Sequence, residues 1–326
     1  MNRRKRPVDK AMSEVRIEKN AIRSLWLEAV KEVAKEYPGT DVPWYLTLSG
    51  AEARDIQLLI DEGLLSLTEV GSIKENDQHK VVAVERNNQA ILELQKKLPG
   101  LKIKRAEFRD LIRGDGIFSW PQGDDEKYCR AHIVNLDLNN PLRGATCNGE
   151  VTFPVLSWIR KLCQLHARSP RYDWTLCLTL HGEVVWLEEV NTWTKSFLAE
   201  NLRREPDFAK GCREFLGEEL VTQVTGCSPI DFSTLDRTGQ QKIIMVMVPK
   251  MIAKLVHNEG WNVSTERNLS YGQAGCAPMV TWIVRFTWSS DGSATPDALY
   301  RAALKDILSG AGVVTDRGQI ETESYC

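Results

Sequence analysis

The sequence predicts an α/β fold: a doubly wound, mostly parallel seven-stranded sheet that closes in a C-terminal antiparallel hairpin, with a helix in front of it. Three observations predict it. From Trp44 onward, short apolar runs alternate with stretches of helical period, the pattern of βαβ units. Five of those runs are nearly continuous in apolar residues, as central strands covered on both faces must be. After them come two strand-like segments, Trp261 to Leu269 and Pro278 to Trp288, joined by the turn-rich Ser270-Tyr271-Gly272-Gln273-Ala274-Gly275, so at least one strand must run against the others.

The elements follow in order. Residues 1–10 carry Arg3, Arg4, Lys5, Arg6 and Lys10, a basic arm expected to solvate a terminus. A helix from about Ser13 to Tyr37 is read from Val15, Ile22, Leu25, Trp26, Ala29, Val30 and Val33, and Pro38-Gly39 ends it. The first strand, Trp44 to Leu48, turns at Ser49-Gly50 into a helix over about Ala51 to Leu65. The second, Lys80 to Glu85, is followed by a helix through Ala90, Ile91, Leu94 and Leu98 that stops at Pro99-Gly100. The third is Lys102 to Glu107. Beyond a Gly- and Asp-rich loop (Gly114 to Asp125), the fourth strand, Ala131 to Leu138, ends in the polar cluster Asn139-Asn140-Pro141. A helix from about Val151 to His166 leads to the fifth strand, Trp174 to Thr179. Helices over roughly Thr192 to Leu202, Asp207 to Val224 and Thr238 to Asn258 precede the hairpin. A last helix, Pro296 to Leu308, is followed by a polar end expected to fray. The implied division is a basic arm and helix (1–43), the sheet domain (44–290) and a C-terminal helix and tail (291–326).

Composition bounds the function. The 326 residues include 42 Lys+Arg and 44 Asp+Glu, a net charge of −2, which excludes a surface wholly devoted to nucleic acid or anionic membrane. Hydrophobic residues at 42% and charged residues at 26% are those of a globular chain rather than a disordered one. No apolar run approaches the roughly 18 residues that cross a bilayer, so a cytoplasmic protein with no membrane partner is expected. Eight cysteines stand singly, without Cys-x-x-Cys or paired-His spacing, so no metal site is expected and reduced thiols are.

Five βα units closed by a hairpin resemble the plan of class I, Rossmann-like methyltransferases, which use S-adenosylmethionine (SAM). The resemblance covers about 44 to 288 and is one of architecture and motif position, to the superfamily rather than to one of its families. In that superfamily the first strand enters a turn of the form acid-x-Gly-x-Gly-x-Gly, where backbone approaches the methionine part of the cofactor. Here the positions read Thr47-Leu48-Ser49-Gly50-Ala51-Glu52-Ala53: the acid is Thr47, the three spaced glycines are Ser49, Ala51 and Ala53, and Gly50 is the one glycine kept. The resemblance implies a cofactor site on Thr47, Ser49, Gly50, Ala51, Glu52 and Ala53, with Glu85 at the end of the second strand accepting from the ribose hydroxyls beside Arg86. A carboxylate suits a vicinal diol because each oxygen can accept one hydroxyl, and a helix N-terminal charge is the alternative reading of Glu85. After the third strand the resemblance implies Glu107 for the adenine amino group and Phe108 for packing on its ring, with Asp110 as alternative to Glu107; either acid could instead cap the helix that follows.

The fourth-strand end, Asn135-Leu136-Asp137-Leu138-Asn139-Asn140-Pro141-Leu142, occupies the catalytic mouth of that plan. It is similar to the Asn/Asp-Pro-Pro-aromatic turn of enzymes that methylate exocyclic amines of bases, and to the Asp-x-Asp-Pro-Phe segment of tRNA guanine-N2 methyltransferases, with Asn140 in place of the first proline and Leu142 in place of the aromatic. The resemblance thus assigns catalysis to Asp137, Asn139, Asn140 and Pro141, with Asp137 also beside the cofactor and His181, after the fifth strand, as a second candidate base. A polar turn and a loop histidine are the structural alternatives. Paired basic residues (Lys102, Lys104 and Arg105; Arg160 and Lys161; Arg168 and Arg171; Arg203 and Arg204) and Trp120, Trp186 and Trp193 could form a basic, stacking face for RNA or DNA. Two functions are therefore expected: a transferase methylating a nucleic acid, or a degenerate methyltransferase-like protein acting as the binding partner or effector subunit of another protein. An NAD-dependent oxidoreductase is disfavoured by the hairpin and the missing Gly-x-Gly-x-x-Gly.

Overall fold

The computed structural model describes residues 8–113, 121, 123–147, 150–272, 277–289 and 294–322. The basic arm at Arg3 to Arg6, Trp120, Cys276 and Cys326 lie outside the described residues. The strands are β1 (Tyr45–Thr47), β2 (Val81–Glu85), β3 (Lys102–Arg105), β4 (Ile133–Arg143), β5 (Ala145–Cys147), β6 (Glu150–Thr152), β7 (Trp174–Val185), β8 (Trp261–Tyr271), β9 (Met279–Trp288), β10 (Ala311–Val314) and β11 (Ile320–Thr322). The helices are α1 (Val8–Glu36), α2 (Arg54–Asp61), α3 (Asn88–Lys97), α4 (Phe108–Arg113), α5 (Asp124–Cys129), α6 (Pro154–His166), α7 (Glu188–Arg204), α8 (Pro206–Leu216), α9 (Glu218–Thr225), α10 (Arg237–Val256) and α11 (Pro296–Leu304).

One sheet has the order β3-β2-β1-β4-β7-β9-β8-β10-β11. β9 runs antiparallel to both β7 and β8, and β11 antiparallel to β10; every other neighbouring pair is parallel. The α/β class, the mostly parallel sheet and the reversed hairpin strand are as the sequence predicts. The strand number is not: the sheet has nine strands rather than seven. The tail read as a frayed polar end supplies β10 and β11 beside β8. Their short AGVV and IET segments give no apolar run to detect, although Ala311 and Val314 are buried. A Cβ on Gly312 would come within 2.4 Å of the Glu321 carbonyl, so that glycine permits the close pairing.

Two further corrections bear on the site. β4 continues through Asn139, Asn140 and Pro141 to Arg143, so the polar cluster is strand and not a closing turn; β7 likewise runs on to Val185, which puts His181 inside a strand and not in a loop. The small β5–β6 hairpin, in a sheet of its own, has no counterpart in the sequence reading.

Alternation of side chains across the strands makes two cores. Leu46, Val82, Val84, Val134 and Leu136 face α4 to α11, while Tyr45, Val81, Ala83 and Ile133 face α1, α2 and α3. On the first side Trp174 is sandwiched between His166 (ring centroids 4.3 Å apart) and its cross-strand partner Phe286 (4.0 Å), with Trp261 edge-on at 6.4 Å. Such pairs add about 0.5–1.5 kcal/mol each beyond the area they bury. On the second side α1 buries Ile22, Trp26 and Val30 in the same cluster as β1 and α2, which fixes that helix against the C-terminal half of the first crossover.

α10 holds a charged anomaly. Lys250 is fully buried; its Nζ donates to Asn201 Oδ1 at 3.1 Å and lies 3.6 Å from the Phe208 ring centroid. Burial pushes it down to about 7, against the smaller opposing effects of Cys212 and Glu205. Between pH 7 and the unfolded value of 10.5 the unfolded chain binds more protons than the folded one, so stability rises with pH across that window. Lys250→Met should raise the unfolding free energy at pH 7 by about 1–4 kcal/mol, a gain that shrinks toward pH 10. Denaturant titrations at both pH values check it, and lower stability of the variant at pH 7 would contradict it.

Candidate functional site

The chain leaves β1 toward β2 on one side and toward β4 on the other, so β1 and β4 flank the switch point where open α/β sheets form a ligand crevice. The turn from β1 to α2 there is shaped by two left-handed residues. Gly50 has φ +55°, and no atom stands within 4 Å of where its Cβ would be: the glycine serves conformation, not close contact. Ala53, at the last glycine position of the resembled turn, has φ 44° and ψ 40°, and is the one non-glycine residue with positive φ among the described residues. An alanine there costs on the order of 1 kcal/mol, and its methyl is fully buried.

A polar network fixes that turn from below. Register sets Thr47 beside Ala83 of β2 and Asn135 of β4. Asp55, in the first turn of α2, accepts from Tyr45 Oη at 2.9 Å and Thr47 Oγ1 at 2.6 Å through the same Oδ2. Asn135 Nδ2 donates to Tyr45 Oη at 2.6 Å. Burial first, and the Asp55 charge second, push the Tyr45 phenol up, so it stays a neutral donor. Thr47 thus spends its hydroxyl on Asp55, a residue the sequence reading missed although an acid in the first turn of the following helix marked it.

α1 lies across this edge. Lys19 Nζ pairs with Asp137 Oδ2 at 2.5 Å, both side chains less than one fifth exposed. Arg23 is half-buried, its pKa lowered first by burial and held up by the charges of Asp55 and Asp137. Glu18 accepts from the Gly272 amide at 3.2 Å, anchoring α1 to the end of β8. Around these contacts, Ser49 Oγ, Asn135 Oδ1, Asp137 Oδ1, Tyr271 Oη and His181 Nδ1 are buried without a hydrogen-bond partner among the described residues. His181 Nδ1 is 3.7 Å from Glu183 Oε2. A concentration of unsatisfied polar atoms at one sheet edge costs stability and marks a place for a ligand or water.

The remaining expected contacts divide. Glu85 Oε1 accepts from the amides of Arg86 (2.8 Å) and Asn87 (2.7 Å), while Oε2 accepts from no described residue. Glu107 is claimed by Arg86 and by Arg109, whose Nε is 2.5 Å from Oε2. Asp110, the alternative, is exposed and 3.6 Å from Arg109 Nε. Phe108 is 5% exposed and packs edge-on to Trp158 at 6.1 Å, so it belongs to the core and not to a stacking surface: as the first residue of α4 it faces α6. Glu52 pairs with Arg54, and the Glu52 carbonyl accepts from Lys97 Nζ at 2.6 Å; Ala51 completes the turn, half-buried.

At the β4 mouth the ladder to β7 slips. Asp137 pairs with Thr179 and Pro141 with His181, so three residues, 138–140, bulge where β7 has one. The backbone of Asn139 and Asn140 forms this bulge; their side chains lie outside the described residues. Beside it is a cavity of about 310 Å³ lined by Leu138, Pro141, Leu142, Arg143, Val155 and Trp158 among others. Trp158, four residues into α6, supplies an aromatic wall that Leu142 lacks, and only the tertiary fold brings it there.

No family model matches the chain, and no curated protein matches it. Among the described residues no helix is long and apolar enough to cross a membrane, and no group of three or more His, Cys, Asp or Glu is arranged to hold a metal ion.

Tyr45→Phe removes the hydroxyl that joins Asn135 to Asp55 and leaves Asn135 Nδ2 only the 3.5 Å contact to Thr47. It should destabilise the protein by about 1–3 kcal/mol in denaturant melts; a change under about 0.5 kcal/mol would show the network to be idle.

Proposed function

We propose that the chain is a SAM-dependent methyltransferase of the Rossmann-like class, acting on a nucleic acid at an exocyclic amine of a base. The observation that carries this reading is the turn at Ser49 to Ala53. It keeps the left-handed conformation that a glycine-rich cofactor turn requires, in a residue type that must be strained to adopt it, directly beside unpartnered Ser49 Oγ and Asp137 Oδ1. The reversed β9 between β7 and β8 supports the same reading against a dehydrogenase, whose sheet would continue with a parallel crossover.

The residues suit the cofactor at two of its three parts. Glu85 Oε2 is open to a ribose hydroxyl, and Ser49, Gly50 and Ala51 of the turn offer small side chains to the methionine part. At the adenine part, Glu107 is held by two arginines and Phe108 is core, so neither of these expected contacts is carried forward. SAM would bring an already activated methyl group on a sulfonium, so the protein has only to orient the acceptor and exclude water. Asp137 Oδ1 would accept from the amine N–H and aim its lone pair, while Lys19 holds Oδ2. His181, facing Pro141 across the ladder, would be the second proton acceptor. The free buried thiols Cys129, Cys163, Cys177 and Cys212 support a reducing, cytoplasmic setting.

A second reading is favoured by one observation: the carboxylates of Asp137 and Glu107 are both neutralised internally, by Lys19 and by Arg86 with Arg109. That is what a degenerate methyltransferase-like partner subunit would look like. Calorimetric titration with SAM, S-adenosylhomocysteine and NAD separates the two. Micromolar binding of the first two and not of NAD is expected, weakened by about 1.5–3 kcal/mol in Glu85→Ala. Asp137→Asn should lower turnover more than cofactor affinity. Folded, ligand-free protein that binds none of the three would refute the enzyme reading and leave the second.

A further inference from the structure

A groove of about 660 Å³ runs between α6, α7 and α10, on the outer side of the helical layer and away from the β1–β4 crevice. Its floor is aromatic. Phe153 and Phe197 are buried there, and half-exposed Trp193 stacks on Phe197 (centroids 4.9 Å apart, planes 9° apart) and meets Phe153 edge-on at 5.3 Å. Its charged lining consists of Arg160, Lys161 and Lys254, and no carboxylate is among the lining residues. In a chain of net charge −2 this segregation is a local departure from the whole. Arg160 is more than half exposed although its Nε is 3.1 Å from Glu259 Oε1, and Lys254 Nζ stands 5.4 Å from the Phe197 ring centroid with no carboxylate at salt-bridge distance among the described residues.

We propose that this groove binds single-stranded nucleic acid, a base stacking on Trp193 while Arg160, Lys161 and Lys254 meet the phosphates. A held aromatic face flanked by cations, with Glu259 engaged by Arg160 and Gln164 at its rim, is complementary to a strand whose bases are unpaired, because every base has a π-face and every link a negative charge. A duplex hides those faces, and the carboxylates of an acidic peptide bring no ring to the floor. Phe153 lines the groove, and the next residues, Pro154 and Val155, line the cavity at the β4 mouth, so α6 is the common wall of both. The inference names the substrate class of the proposed enzyme and rests on that reading only for what is done to the bound strand.

Fluorescence anisotropy with labelled oligo(dT) and oligo(U) of about 12 nucleotides, a length that covers the usual range of single-strand sites, tests it on the full chain. Binding should be salt-dependent and tighter for the single strands than for a duplex of equal length. Trp193→Ala should weaken it at least about fivefold. Arg160→Gln with Lys254→Glu, both on exposed positions, should weaken it at least as much and flatten the salt dependence. Absence of binding by the wild type, equal affinity for the duplex, or unchanged affinity in both variants would overturn the proposal. Calorimetry with S-adenosylhomocysteine on the same variants keeps the two readings apart: the groove changes should leave cofactor affinity unaltered.

Discussion

The carboxylate of Asp55 is the interaction on which the crevice depends. It draws two hydroxyls of β1, Tyr45 and Thr47, to the first turn of α2, and through Tyr45 it reaches Asn135 on β4. With both ends of the turn tied down, residues 48–53 must close the gap in few steps, and Gly50 and Ala53 take positive φ to do so. Strain at Ala53 persists because the surrounding bonds over-determine it. Lose the Asp55 contacts and nothing holds an alanine in that conformation.

The second constraint comes from outside the sheet domain. α1 is anchored by apolar burial of Ile22, Trp26 and Val30, and that anchoring delivers Lys19 and Arg23 to a pair of carboxylates already on the sheet edge. Cations from α1 lower the cost of setting Asp55 and Asp137 near one another in a poorly solvated place. The same helix roofs the crevice, so whatever enters must pass beside or displace it. In the enzyme reading α1 is the wall that excludes water; in the partner-subunit reading it is a permanent plug.

The strands that organise the sheet were legible because burial on both faces demands nearly continuous apolar runs: β2 has one in Val81 to Val84, and β4 and β7 break theirs only with single polar residues such as Asn135, Asp137 and Thr179. β10 and β11 were not legible, since pairing at a sheet end needs only backbone and a glycine such as Gly312. The prolonged β4 and β7 were misread for a related reason: Asn139, Asn140 and Pro141 have turn chemistry, and only the bulge against Leu180 lets a strand accommodate them. Glu85 stands at the end of β2 as the sequence reading places it, whereas Asp137 lies inside β4, which runs on to Arg143. Phe108 was not legible, because one residue of helical phase decides whether an aromatic faces a ligand or the core. Lys19, Asp55 and Trp158 come from three separate helices, and no spacing in the chain announces that they converge.

In the enzyme reading, the β1–β4 crevice with its strained turn is an adenosyl site under α1. Hydrogen exchange of backbone amides with and without S-adenosylhomocysteine tests it most directly, because exchange reports local opening residue by residue. Added protection is expected only at the turn from Ser49 to Ala53, at Arg86 and Asn87, and at the facing turns of α1 around Lys19 and Arg23. Protection that leaves these segments unchanged would contradict it, wherever else on the molecule the ligand had settled.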